Sequence, residues 1–226
     1  MTVKHIDTYS KKRPVALAGS LAIAYCILAL PFHIPMAIYA IYNFQELMGS
    51  RFQQDRILTI LIICSFVFAI FVITNSIYRQ RKNIKAFTSF FKESGLSNPQ
   101  PHNIAMNRTG WGYLALDTQK GTLLYINHPD TTIFNFFFPK DVRVMGFGMY
   151  DWKSIEVEGN KLTIYTGNPE LPSVLMETNK AGQMYEKINA MRNQTWTYEY
   201  NIPGCVEHQA KRIADEQGLS LILPPN

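Results

Sequence analysis

The chain has 226 residues, 47% of them hydrophobic and 17% charged, with a formal net charge of +5 and a mean hydropathy of −0.07. Those totals suit an ordinary globular protein, but they average an apolar half with a polar one. Residues 79–92 carry +5 while residues 104–226 sum to −2 from 11 basic and 13 acidic side chains, so the pI near 9.0 comes from the basic segment and does not mark a nucleic-acid-binding domain on the folded part.

Residues 1–13 are short, polar and basic. Residues 14–42 contain no charged side chain, a run much longer than the roughly 7–15 residues of a signal-peptide core, and are read as a first transmembrane helix. Ala18, Ala22 and Ala29 give it a small face, and Pro31 and Pro35 kink it or mark its outer end. His33 between those prolines reads as an interfacial histidine rather than a proton relay. Residues 43–56 form a polar loop.

The strongest signal is Ile57 to Tyr78, 22 residues without charge, 14 of them Leu, Ile, Val or Phe. Near a bilayer centre those 14 are worth about −4 to −8 kcal/mol, and a helix needs ~20 residues to cross. Lys and Arg number four before the first run, two in the loop and five after the second. The positive-inside rule then implies a two-pass membrane hairpin with the loop outside and both termini cytoplasmic.

Residues 79–101 read as a basic juxtamembrane helix and linker. Ile84, Phe87, Phe90 and Phe91 recur at helical spacing, while Arg79, Arg81, Lys82 and Lys85 occupy the other faces. Two readings stay open: the segment meets the anionic leaflet or a partner helix, or it simply continues the span.

Residues 102–226 change character and read as a cytoplasmic α+β domain. Gly112–Asp117 and Thr122–Ile126 flank the turn Gln119-Lys120-Gly121, and Trp152–Glu158 and Lys161–Thr166 flank Gly159-Asn160. Thr131–Phe138, Val142–Met145 and Ser173–Glu177 are further strands. Thr178 or Asn179 caps a helix running to about Arg192, with Met184, Ile188 and Met191 inward. Thr195–Tyr200 suits an edge strand, Val206–Gln217 a short helix stopped by Gly218, and Leu219–Leu223 an apolar tail that docks on the domain. The expected fold is thus a membrane-anchored α+β protein. A two-helix transmembrane hairpin precedes a small antiparallel β-barrel or roll with a C-terminal helix, in a pleckstrin-homology-like arrangement.

Catalytic chemistry has no footing in the sequence, and no enzyme is expected. Gly146-Phe147-Gly148 is not followed by the Lys-Ser/Thr of a phosphate loop, and Glu156 and Glu158 beside a hairpin turn suit a solvated strand face. His5, His33, His102, His128 and His208 share no metal-ligand spacing with one another or with Cys205, so no metal or cofactor is expected. Cys26, Cys64 and Cys205 suggest no disulfide and point to a reducing compartment. Phe134, Phe136, Phe137 and Phe138 are too many for one buried strand face, so Phe137 joins Arg79, Arg81, Lys82, Lys85, Phe87, Phe90 and Phe91 as a candidate membrane or partner contact.

Asp117–Asp130 and Trp152–Asn179 resemble the folded domain of entry-exclusion (ExcA-type) inner-membrane proteins of I-complex conjugative plasmids, as do the tandem apolar runs and the length. The resemblance implies plasmid exclusion in a recipient cell, with the two-pass hairpin in the bacterial inner membrane and its loop, residues 43–56, periplasmic. Such a protein blocks redundant conjugative DNA transfer by recognising a TraY-type inner-membrane protein of the donor's apparatus, without nucleic acid or cofactor, with homo-oligomerisation open. The alternative is a membrane-tethered pleckstrin-homology-like adaptor or lipid-headgroup module. A domain netting −2 with dispersed lysines counts against the headgroup form.

Overall fold

The computed structural model describes residues 4–5, 32–49, 53–107, 110, 112–128, 141–169 and 171–223. In chain order these give β1 (Lys4–His5), α1 (residues 32–42), α2 (Phe44–Gly49) and α3 (Gln53–Glu93). A 3₁₀ turn at Pro101–Asn103 leads to β2 (Ile104–Met106), β3 (Gly112–Asp117), β4 (Thr122–Asn127) and β5 (Asp141–Gly148). Then come β6 (Ser154–Glu158), β7 (Lys161–Asn168), β8 (Leu171–Glu177), α4 (Ala181–Arg192), α5 (Ile202–Gln217) and β9 (Ser220–Leu223).

The strands form two sheets: six strands in the order β1-β9-β5-β4-β3-β2, and three in the order β6-β7-β8. Every residue of β3 is buried, because both faces of the larger sheet are covered. On one face Tyr113, Ala115, Leu124, Ile126, Val142 and Val144 pack with Ile84, Phe87 and Phe91 of α3 and with Val206, Ala210 and Ile213 of α5. On the other, Leu114, Leu116, Leu123, Tyr125 and Phe147 meet Ile155, Leu162, Ile164, Val174 and Met176 of the smaller sheet, with Met184, Ile188 and Met191 of α4 alongside. Period-2 alternation thus sorts each strand between two cores. Complete burial of a side chain such as Phe87 contributes about 1.5–3 kcal/mol.

Local chemistry fixes the ends. α3 stops where Gly95 takes φ +69° and the Leu96 and Ser97 N–H groups both donate to the Phe91 carbonyl (2.9 and 3.1 Å). Asp117, buried at the end of β3, accepts from the N–H groups of Asn98, Gln119 and Lys120, tying the post-helix linker to the β3–β4 turn. α5 begins at Asn201, whose side chain accepts from the Gly204 N–H (2.9 Å), and ends at Gly218 with φ +63°.

Several expectations are corrected. Among the described residues no helix is long and apolar enough to cross a membrane, so the transmembrane hairpin is overturned, and the two-pass inner-membrane placement falls with it. Ile57–Tyr78 does not stand as an element of its own: it lies within the 41-residue α3, whose charged second half packs on the sheet. Counting charges alone also passed over Thr59, Ser65, Thr74, Asn75 and Ser76. The hydroxyls of Ser65 and Thr74 donate back to the Ile62 and Ile70 carbonyls (both 2.8 Å). Large apolar side chains nevertheless remain exposed on α1 and α3, among them Tyr39, Ile41, Ile57, Leu61 and Phe71. Pro35, Met36, Tyr39, Ala40, Leu47, Leu58, Thr59 and Ile62 line an apolar groove of about 370 Å³.

The expected single barrel or roll is likewise replaced by two sheets, the larger extended by parallel strands. The Leu219–Leu223 tail docks as β9, pairing parallel to β5 (Val142 opposite Leu221) and to β1. The Thr195–Tyr200 segment forms no strand, because its aromatic side chains are committed elsewhere: Trp196 Nε1 donates to the Met191 carbonyl (2.8 Å), and Tyr198 Oη donates to the Gly121 carbonyl (2.6 Å) while accepting from the Met149 N–H (2.8 Å). The Thr131–Phe138 strand and residues 14–31 of the first apolar run lie outside the described residues.

Candidate recognition surface

The exposed side of α3 follows from its own periodicity. Ile84, Phe87 and Phe91 turn into the sheet, which leaves Arg79, Arg81, Lys82 and Lys85 outward and exposed. Arg79 Nε donates to Asn75 Oδ1 one turn back (3.4 Å), and no ion pair among the described residues engages these four cations. The Arg81 guanidinium lies beside Gly110, where its Nε would be 3.3 Å from an added Cβ. Phe87 and Phe91, expected at a membrane or partner face, are 0% exposed in the core. Phe90 is half-buried with the Arg212 guanidinium 4.9 Å from its ring centroid, a cation–π contact that joins α3 to α5. Phe137 lies outside the described residues.

A second surface is the outer face of β6-β7-β8. Register places Glu156, Thr163 and Leu175 in one outward row, Ser154, Tyr165 and Ser173 in the next, and Glu158, Lys161 and Glu177 in a third. Ile155, Leu162, Ile164, Val174 and Met176 take the alternate, inward positions. Leu175 is 46% exposed, and Tyr165 Oη donates to Glu156 Oε2 (2.9 Å). That hydrogen bond, with the negative charge of Glu156, raises the Tyr165 pKa. The rows therefore set the exposed Leu175 beside Thr163 and Tyr165, with Glu156, Glu158, Lys161 and Glu177 around them. The solvated character expected for Glu156 and Glu158 is what the structure shows.

The other titratable groups of note are structural. Burial pushes Tyr113 up to about 12, and burial is also the largest cause of the raised Tyr198. His128 is buried with its Nε2 3.4 Å from Asn83 Nδ2, on the side of the sheet that α3 covers. Among the described residues no group of three or more His, Cys, Asp or Glu side chains could hold a metal ion. Sequence reading missed Tyr198 as an anchor. Its one visible signal was the aromatic alternation of Trp196, Tyr198 and Tyr200 after α4.

Fold and surface together define a two-sheet α+β protein that presents a basic helix face and an acid-rimmed sheet face. The family model described as exclusion-determining protein matches residues 11–219, and the chain belongs to that family. No curated protein matches the chain, and no solved structure does. Membership supports plasmid exclusion, in general terms, as the role of the chain.

Proposed function

We propose that the chain acts in a recipient cell to block redundant conjugative DNA transfer, and that it does so without catalysis, by recognising a TraY-type membrane protein of the donor's transfer apparatus. The family match across residues 11–219 supports the exclusion role on which the proposal is built. The I-complex likeness adds to it, because Asp117–Asp130 and Trp152–Asn179 fall on the β3–β4 turn and strand β4 and on the whole of the β6-β7-β8 sheet. The outward rows of that sheet are the surface we assign to recognition, since Leu175 offers exposed apolar area and Glu156, Glu158 and Glu177 set a charge pattern around it. A charged rim around an apolar centre governs which partner is accepted more than how tightly it is held.

The test is mating. Recipients expressing the chain are compared with empty-vector recipients for uptake of an I-complex plasmid and of an unrelated plasmid. The proposal expects uptake of the first alone to fall by orders of magnitude; equal uptake of both plasmids in both recipients contradicts it.

A further inference from the structure

Strand β5 carries a cation into the space between the sheets. Arg143 lies opposite Asn127 in the β4–β5 register, on the same face as Tyr125 and Met145, with Gly112 beyond Asn127 on β3. The residue is half-buried, and its Nε is shut off from solvent with no hydrogen-bond acceptor. The neighbouring polar groups are already committed. Tyr125 Oη donates to the Leu175 carbonyl (3.0 Å) and is hydrogen-bonded by the Asn127 side chain. Burial raises the Tyr125 pKa, so its phenol stays neutral near pH 7 and supplies no counter-charge. Burial also pulls Arg143 down, and the only opposing influence among the described residues is the Tyr125 phenol, which acts only once it is ionised.

A guanidinium has five N–H donors in a planar fork and remains charged in proteins. Leaving the Nε donor buried without an acceptor costs stability, and a well-packed apolar side chain of similar length removes that cost. We propose that Arg143 anchors an anion site that takes a carboxylate. Among the described residues no second positive group acts on this cation, which matches a monoanion, and a carboxylate accepts two parallel N–H bonds from the fork. A phosphate dianion calls for more positive charge than the site holds, in a domain that nets −2 over residues 104–226. The carboxylate belongs either to an acidic side chain of the recognised partner, which rests on the exclusion reading above, or to a free small acid.

The experiment uses the full chain and Arg143→Met. Thermal unfolding is followed in sodium acetate, sodium phosphate and sodium chloride at equal ionic strength. Acetate at a concentration ten times its Kd raises the wild-type Tm by roughly 3–6 °C over chloride, phosphate raises it less, and Arg143→Met shows no anion dependence while melting at or above wild type in chloride. Arg143→Lys, which keeps the charge but loses the fork, gives a smaller acetate effect. An equal wild-type Tm in all three salts overturns the proposal. So does an Arg143→Met chain that melts several degrees lower whatever the salt, because the arginine is then structural.

Mating separates the two sources of the carboxylate. Loss of exclusion in Arg143→Met with Tm preserved assigns it to the partner, and full exclusion assigns it to a free acid. If the wild-type chain excludes nothing, the partner reading fails while the acetate result still decides the site.

Discussion

Among the described glycines, Gly146 is where an added Cβ would come nearest to another atom. It sits within β5 on the face that carries Val142 and Val144, where α5 crosses the strand. A Cβ added there would lie 2.3 Å from Val206 Cγ2 and 2.8 Å from Val206 Cβ. Ordinary contact begins near 3.4 Å, so Gly146→Ala forces α5 to retreat by about 1.1 Å, the difference between 3.4 and 2.3 Å. α5 also brings Ile202, Ala210, Ile213 and Ala214 into the same core, and a retreat loosens all of them. Overpacking of this kind costs about 1–3 kcal/mol. Val206→Ala removes the two nearest methyls but leaves Cβ at 2.8 Å, so it relieves the clash in part while losing its own buried area. The double mutant should therefore be more stable than the sum of the single changes by roughly 1 kcal/mol. Urea denaturation of the four proteins, followed by far-UV circular dichroism, measures this cycle. A Gly146→Ala midpoint within error of wild type, or an additive cycle, would refute the packing of α5 against β5 described here.

Other positions test other parts of the fold. Gly121→Ala combines a φ of +64° with a Cβ 2.4 Å from the Trp196 ring, and should cost about 2–4 kcal/mol in the same denaturation assay. Tyr113 is held protonated in the fold up to about pH 12, whereas the unfolded chain releases that proton near pH 10. Its contribution is whole below pH 10 and falls by about 1.4 kcal/mol per pH unit as the pH rises through the window to 12. Tyr113→Phe should flatten alkaline unfolding between those values, and an unchanged slope would show that the phenol is not buried as described. Leu175→Arg on the outer sheet face should leave Tm within about 2 °C of wild type while lowering exclusion at least tenfold in mating, and undiminished exclusion would move recognition off that face.

Local signals were readable in the sequence where local physics decides. The β3–β4 and β6–β7 hairpins stand on Gly121 and Gly159, whose φ values of +64° and +57° their turns require. Gly218 ends α5, and Met184, Ile188 and Met191 face inward from α4. Long-range pairing was not readable. β9 lies beside β5 although 71 residues lie between the ends of these strands (Gly148 and Ser220), and nothing in a four-residue strand names its partner. Gly146 and Gly148 looked like a break after Val142–Met145, yet both lie inside the strand because Val206 and Tyr198 approach too closely for a side chain. The charge-free run misled differently: continuation of its helix past Tyr78 was one of the readings kept open, but nothing local showed that this second half packs on the sheet. On the candidate surface, the basic positions of α3 were legible as its polar side, while Phe87 and Phe91 went inward because the sheet offered them a core.

The central claim is that this chain bars plasmid transfer into the cell that makes it. The most direct measurement is the transfer frequency of an I-complex plasmid into recipients expressing the chain, against recipients expressing Leu175→Arg and recipients with empty vector. The account predicts a drop of orders of magnitude for the chain, partly restored by the variant, with an unrelated plasmid unaffected. Equal frequencies in all three recipients would contradict it.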